Sequence, residues 1–206
     1  MIHSPVTAFY RLLAAMVLLS ISLGVSVAAQ PRGQRSDGDR LLMKMGLIVQ
    51  NSLQTRPRRL RTSVTESELN AFLAYQAKDQ MPSGVVQPEV SILGDGKIAG
   101  RAIVDMEAAR KQQGGGGWLD PWSYLGGRVP LAATGTLQTR NGVGTFALEY
   151  AEISGVTVPK ALLQQVVSYY SRTPENPRGI DLDAPFELPA RIREIEVQRG
   201  QAILVQ

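Results

Sequence analysis

The sequence predicts an α+β fold: a curled antiparallel β-sheet packed against two or three helices, preceded by a signal peptide. Three observations carry this reading. Alternating apolar residues flank turn signals at Gly94-Asp95-Gly96, Asn141-Gly142 and Arg199-Gly200, which is the pattern of β-hairpins. Apolar residues recur at helical spacing in three other segments. A cation, Arg11, precedes an uncharged run from Leu12 to Ala29, as in secretory leaders.

The leader ends Val27-Ala28-Ala29 before Gln30, with small residues where signal peptidases cut. Residues 1–29 are therefore expected to be a cleaved signal peptide. An uncleaved anchor is the rival, because about 18 uncharged residues nearly span a bilayer. Under both readings the rest of the chain is periplasmic or otherwise extracytoplasmic.

Residues 30–62 read as a basic linker and an amphipathic helix. Gln30 to Gly38 is polar, and Arg40 to Leu53 places Leu41, Met45 and Ile48 on one face. Proline at position 57 prevents the helix from continuing. Arg32, Arg35, Arg40, Lys44, Arg56, Arg58, Arg59 and Arg61 face only Asp37 and Asp39 in this stretch. Such a segment attracts an anionic membrane surface, with Arg56, Arg58, Arg59 and Arg61 as the contacts. A solvated arginine-rich face without a partner has the same pattern. Export argues against nucleic acid as a partner, and no recognition-module pattern is present.

Residues 63–206 read as a single α+β domain. Thr65-Glu66-Ser67-Glu68 is a capping box opening a second helix, with Leu69, Phe72 and Leu73 on one side. A three-residue loop at Gly94 to Gly96 then pairs Ile92 with Ile98, Val90 with Gly100 and Glu89 with Arg101. Lys111 to Gly127 breaks the pattern with four consecutive glycines, Trp118 and Trp122. It reads either as a loop whose tryptophans close one end of the core or as a mobile, membrane-touching lid. The Asn141-Gly142 turn pairs Leu137 with Phe146, Gly135 with Leu148 and Ala133 with Tyr150. A third helix opens at Pro159 and is apolar over a wide arc, through Leu162, Leu163, Val166, Val167 and Tyr169. Ile180 to Pro189 carries short extended pieces. The last hairpin sets Ile195 and Val197 beside Ala202 and Leu204. Residues 65–104 and 158–205 share the order helix, link, strand, turn, strand, a weak internal echo.

The chemistry is bounded by two absences. The 206 residues contain no Cys, and the one His is His3, inside the leader. Ser-His-Asp and Cys-His catalysis, His or Cys zinc sites, thiol redox chemistry and disulfides are thereby excluded from the exported part. No phosphate-binding glycine loop or calcium loop occurs, so no cofactor is expected. Carboxylate pairs remain at Glu149/Glu152, Asp181/Asp183 and Glu194/Glu196. A carboxylate-dependent hydrolase is thus one alternative.

Apolar binding needs shape and no reactive group. Gly100, Ala102, Ala133 and Gly135 leave room on one face of the expected sheet. Either a helix fills it, or a lipid chain does. The lipid reading takes Phe72, Leu73, Leu162, Val166 and Tyr169 as helix-side lining. Ala102, Ala133, Gly135 and Leu148 form the sheet side, and Trp118 and Trp122 guard one end. The expected function is non-catalytic binding of a lipid or other amphiphile in the cell envelope. The alternative from another class is an envelope scaffold or protein-interaction module with a dry core.

Thr65 to Asn70, the paired hairpins, and Pro185-Phe186-Glu187-Leu188-Pro189 followed by Ile192, Ile195 and Gly200 resemble exported bacterial domains of the LmeA and YpmS kind. Those are similar to the tubular lipid-binding (TULIP) superfamily, and the resemblance spans about residues 62–206. It implies a long curled sheet around an apolar groove and binding of phospholipid or another amphiphile. It brings no defined set of binding residues. The Gly/Trp insertion at 111–127 departs from the pattern.

Overall fold

A computed structural model describes residues 34–78, 81, 84–108, 127–170, 172 and 176–206. Helix α1 spans Arg35–Ser52 and buries Leu41, Met45 and Ile48 on one face. It begins earlier than the apolar spacing predicts. Asp37 lies in its first turn and accepts a hydrogen bond from the Gln34 N–H, a favourable place for an acid because the helix dipole is positive there.

Strand β1, Arg61–Thr65, leads directly into helix α2, Glu66–Tyr75. The capping box forms as the sequence predicts. Glu68 N–H donates to Thr65 Oγ1, and Thr65 N–H donates to Glu68 Oε2. α2 lies against α1 and buries Ala71, Phe72 and Leu73.

Four long strands follow. They are β2 (Val85–Gly94), β3 (Lys97–Asp105), β4 (Arg128–Arg140) and β5 (Val143–Ile153). They pair antiparallel in sequence order, and β6, Val156–Thr157, returns against the end of β5. Helix α3, Lys160–Tyr170, packs on β5. Strand β7, Phe186–Glu187, pairs with the start of β5. The six strands form an open sheet, so the fold class is α+β, as predicted. The last hairpin, β8 (Glu194–Gln198) and β9 (Gln201–Val205), joins β1 in a separate three-stranded sheet ordered β1-β9-β8.

The β2–β3 register is the predicted one: Ile92 opposite Ile98, Val90 opposite Gly100, Glu89 opposite Arg101. The turn differs. Gly94 pairs with Lys97 around Asp95-Gly96, and the irregularity falls between Ile92 and Gly94. Asp95 and Gly96 both have positive φ, which suits a two-residue hairpin turn whose twist matches that of the strands.

The β4–β5 register agrees at Leu137/Phe146 and Gly135/Leu148, then shifts. Ala133 faces Ala151, not the predicted Tyr150, because the ladder slips between Thr134 and Gly135. The slip leaves Glu149 as the extra residue of a bulge. The last hairpin pairs Ile195 with Leu204 and Val197 with Ala202, as predicted.

The small sheet closes the turn end of the larger one. Thr139 Oγ1 accepts from Ile195 N–H at 2.7 Å and donates to Ile195 O at 3.2 Å. Gly142 N–H donates to Arg193 O, and Gly200 N–H donates to Ile92 O. The two hairpins of the sequence echo thus lie in different sheets, joined at their turns. Helix α2 covers the open edge of β2. Asn70 exchanges two hydrogen bonds with the Val90 backbone, and Glu66 Oε2 accepts from Ile92 N–H. An edge strand otherwise presents those groups to other chains.

Lys44 clasps the helices together. Its Nζ lies 2.8 and 2.7 Å from the two oxygens of Glu68 and 2.7 Å from Ser63 O. Glu68 is buried, and Arg40 adds a second cation at 3.6 Å. Burial alone would push this carboxyl up. Hydrogen bonds from Lys44 and the Thr65 N–H outweigh that and hold it below its ordinary range.

The resulting stability is complete above the unfolded value of about 4.3 and is lost as pH falls through the lower folded value. Urea unfolding measured from pH 7 to pH 3 is expected to show this loss, and Glu68→Gln to flatten it. Lys44→Met leaves a buried carboxylate without its closest cation, so it is expected to cost about 2 kcal/mol at pH 7. An unchanged urea midpoint for that variant contradicts the clasp.

Candidate functional site

The inward face of the large sheet follows from strand alternation. Ile98, Gly100, Ala102 and Val104 of β3 lie beside Gly135, Ala133, Leu131 and Val129 of β4 in that order. On β5 the inward residues are Phe146 and Leu148, then Ala151 and Ile153 after the bulge. The register therefore aligns Gly100, Ala133 and Ala151 in one row across three adjacent strands. None of the three carries more than a methyl group. Val90 of β2 continues the row on the outer side of Gly100.

Larger residues flank the row. Ala133 and Ala151 belong to the main core with Leu163 and Val167 of α3, Phe72 and Leu73 of α2, and Leu41, Met45 and Ile48 of α1. A second apolar cluster, Met106, Val129 and Ile153, lies toward the other end of the sheet. Leu131 and Val158 pack against both clusters. The apolar interior thus runs from beneath the helices, past the small row, to the strand ends that lead into the Gly/Trp segment.

The expected lining residues fall into distinct places. Phe72 and Leu73 are fully buried where α2 meets the core. Ala133 is buried in the small row, and Ala102 is buried one row further along, opposite Leu131. Leu148 is half-buried and packs on the main core. Leu162 is half-buried on α3, next to the buried Leu163. The side chains of Val166 and Tyr169, and the whole of Trp118 and Trp122, lie outside the described residues. Gly135 is crowded: a Cβ there would meet Phe146 Cε1 and the Ala147 carbonyl oxygen, both at 2.5 Å. The Phe146 ring therefore covers Gly135.

Sequence reading missed Ala151, because it placed Tyr150 opposite Ala133. The signal was present. Apolar residues alternate as Phe146 and Leu148, then resume out of phase as Ala151 and Ile153. Tyr150 instead bonds through its hydroxyl to Glu152 and Thr157.

Five of the six candidate carboxylates are engaged in structure. Glu149 accepts from the Thr136 hydroxyl and from Lys97, which together hold its carboxyl below the ordinary range. Glu196 is lowered by a hydrogen bond from Arg61, which binds it at 2.7 Å. Asp183 pairs with Lys160, and Asp181 accepts from the Asp183 N–H. A general acid needs a raised carboxyl, and Glu149 and Glu196 are both lowered. Among the described residues no three Asp, Glu, His or Cys side chains are grouped to hold a metal.

Arg56, Arg58 and Arg59 are exposed in the loop after α1, whereas Arg61 is committed to Glu196. Among the described residues no helix is long and apolar enough to cross a membrane. Comparison with protein-family models, curated proteins and solved structures gives no match to this chain.

Gly135→Ala places a methyl group against both Phe146 and backbone, so it is expected to cost about 2 to 3 kcal/mol. Combining it with Phe146→Leu relieves the ring contact and leaves the carbonyl contact. A double-mutant cycle by chemical denaturation is expected to show positive but incomplete coupling. Full additivity would place the ring elsewhere.

Proposed function

We propose that this protein binds the hydrocarbon part of a lipid or other amphiphile in the cell envelope, against the inward face of its large sheet, without catalysis. The observation that carries the reading is the row Gly100–Ala133–Ala151, which strips side-chain bulk from three adjacent strands. Shallow side chains let a long chain lie close to the backbone, and apolar neighbours on both sides keep water away. Met106, Val129 and Ile153 extend the apolar surface along the sheet. The likeness to tubular lipid-binding domains and the leader-like N-terminus point the same way.

A second reading is supported by a specific contact pattern. Leu163 and Val167 of α3 share a core cluster with Ala133 and Ala151. Both alanines are 2% exposed, so protein side chains cover the small row; on this reading the domain is a dry scaffold, and the lipid reading requires a chain to displace that cover.

Magnitudes separate the two. Each buried methylene contributes about 0.8 kcal/mol, so ten contribute about 8 kcal/mol. That is comparable with the cost of immobilising the ligand. Short chains should therefore bind poorly. Titration with a chain-length series of lysophospholipids below their micelle concentrations is expected to lower Kd about fourfold per added methylene. Native mass spectrometry of protein isolated from an exporting host is expected to show an added lipid mass. Ala102→Phe is expected to reduce that adduct while circular dichroism remains native. A folded protein with no adduct and no chain-length dependence supports the scaffold.

A further inference from the structure

Helix α1 is apolar on two sides. Leu41, Met45 and Ile48 face the core. Met43 and Leu47, one turn apart on the opposite side, are 63% and 62% exposed, and Leu53 just past the helix end is 73% exposed. Gly46 lies between them, and nothing stands within 4 Å of where its Cβ would be. Among the described residues, nothing covers this outer face.

Its charge surroundings are one-sided. Arg56, Arg58 and Arg59 follow Leu53 and are exposed. The acids of the same segment sit at the far end of the helix and are engaged, Asp37 with Arg40 and Asp39 with Gln76. The C-terminal end of α1 therefore offers apolar side chains beside guanidiniums that pair with no acid among the described residues. In sequence, the uncharged run Leu12 to Ala29 ends a few residues before α1 starts. Peripheral helices that lie in a bilayer interface combine these features: apolar groups enter the acyl boundary, and arginines hold anionic headgroups.

We infer that the outer face of α1, through Met43, Leu47 and Leu53 with Arg56, Arg58 and Arg59, docks on an anionic phospholipid surface. The site is separate from the small row of the sheet, and each stands or falls alone. A second copy of the chain is the competing occupant. The acids on its α1, Asp37 and Asp39, are already engaged within the chain, whereas anionic headgroups are free to meet the guanidiniums.

The absence of cysteine allows a clean test. Gly46→Cys carries one environment-sensitive fluorophore on the solvent side of α1 beside Met43, and Val156→Cys carries it on an exposed residue of β6. The full chain is used, so any tethering by the N-terminal run affects both probes alike. Vesicles containing phosphatidylglycerol are expected to shift the emission at position 46 to the blue and to leave position 156 unchanged. Phosphatidylcholine vesicles are expected to produce little shift. Arg58→Glu with Arg59→Glu is expected to weaken the response on the order of tenfold or more. Met43→Glu with Leu47→Glu is expected to abolish it, with circular dichroism checking the fold. No shift at position 46, or an equal shift with phosphatidylcholine, overturns the inference. A shift that grows with protein concentration in the absence of vesicles also overturns it and assigns the face to self-association. Lipid uptake by the sheet is read separately by native mass spectrometry, so failure of one does not mimic failure of the other.

Discussion

The bulge at Glu149 fixes the interior of this protein. Strand residues alternate between faces, so one extra residue inverts everything beyond it. Before the bulge, Phe146 and Leu148 face inward; after it, Ala151 and Ile153 do. Without the slip, Tyr150 would stand opposite Ala133 and fill the space over the small row. With it, Tyr150 bonds to Glu152 and Thr157. Glu149 is held outward by Thr136 and Lys97. The alignment of Gly100, Ala133 and Ala151, and the function proposed for it, depend on that displacement.

The helices reach the sheet through polar anchors as much as through apolar contact. Glu68 caps α2 and receives Lys44 from α1, and Lys44 also donates to Ser63 O of β1. Asn70 and Glu66 then bind the edge backbone of β2. At the other end of α1, Asn51 bonds Arg58 and Gln206, while the Gln206 side chain donates to Ile48 O and Ala190 O. These buried amides are satisfied by backbone partners, which is the condition for placing polar groups in a core. α1 is thereby fixed along its inner face while its outer face stays open.

Local signals in the sequence were accurate where one interaction decides the geometry. Thr65 and Glu68 specify a helix start by themselves, and the inner face of α1 follows from the spacing of Leu41, Met45 and Ile48. The registers of the β2–β3 and β8–β9 hairpins follow from alternation and their turn residues. Long-range consequences were less legible. Strand β1 has a single buried residue, Val64, and exists because β9 supplies a partner. Lys44 sits 24 residues from Glu68, and no local pattern links them. The bulge left a trace in the phase of the apolar residues of β5, but the Asn-Gly turn suggested an unbroken ladder. For the candidate site, Ala133 and Ala102 were readable as inward small residues. The covering of Gly135 by Phe146 was not, because it depends on a ring orientation.

The central claim is that an apolar ligand chain, and not only the side chains of α3, touches the floor formed by the small residues. Protein with carbon-13-labelled alanine methyls and a bound lysophospholipid offers the most direct measurement. The account expects intermolecular nuclear Overhauser effects from the Ala133 and Ala151 methyls to acyl-chain protons. Effects confined to protein protons such as those of Leu163 and Val167, with none to the lipid at saturating concentration, would contradict it.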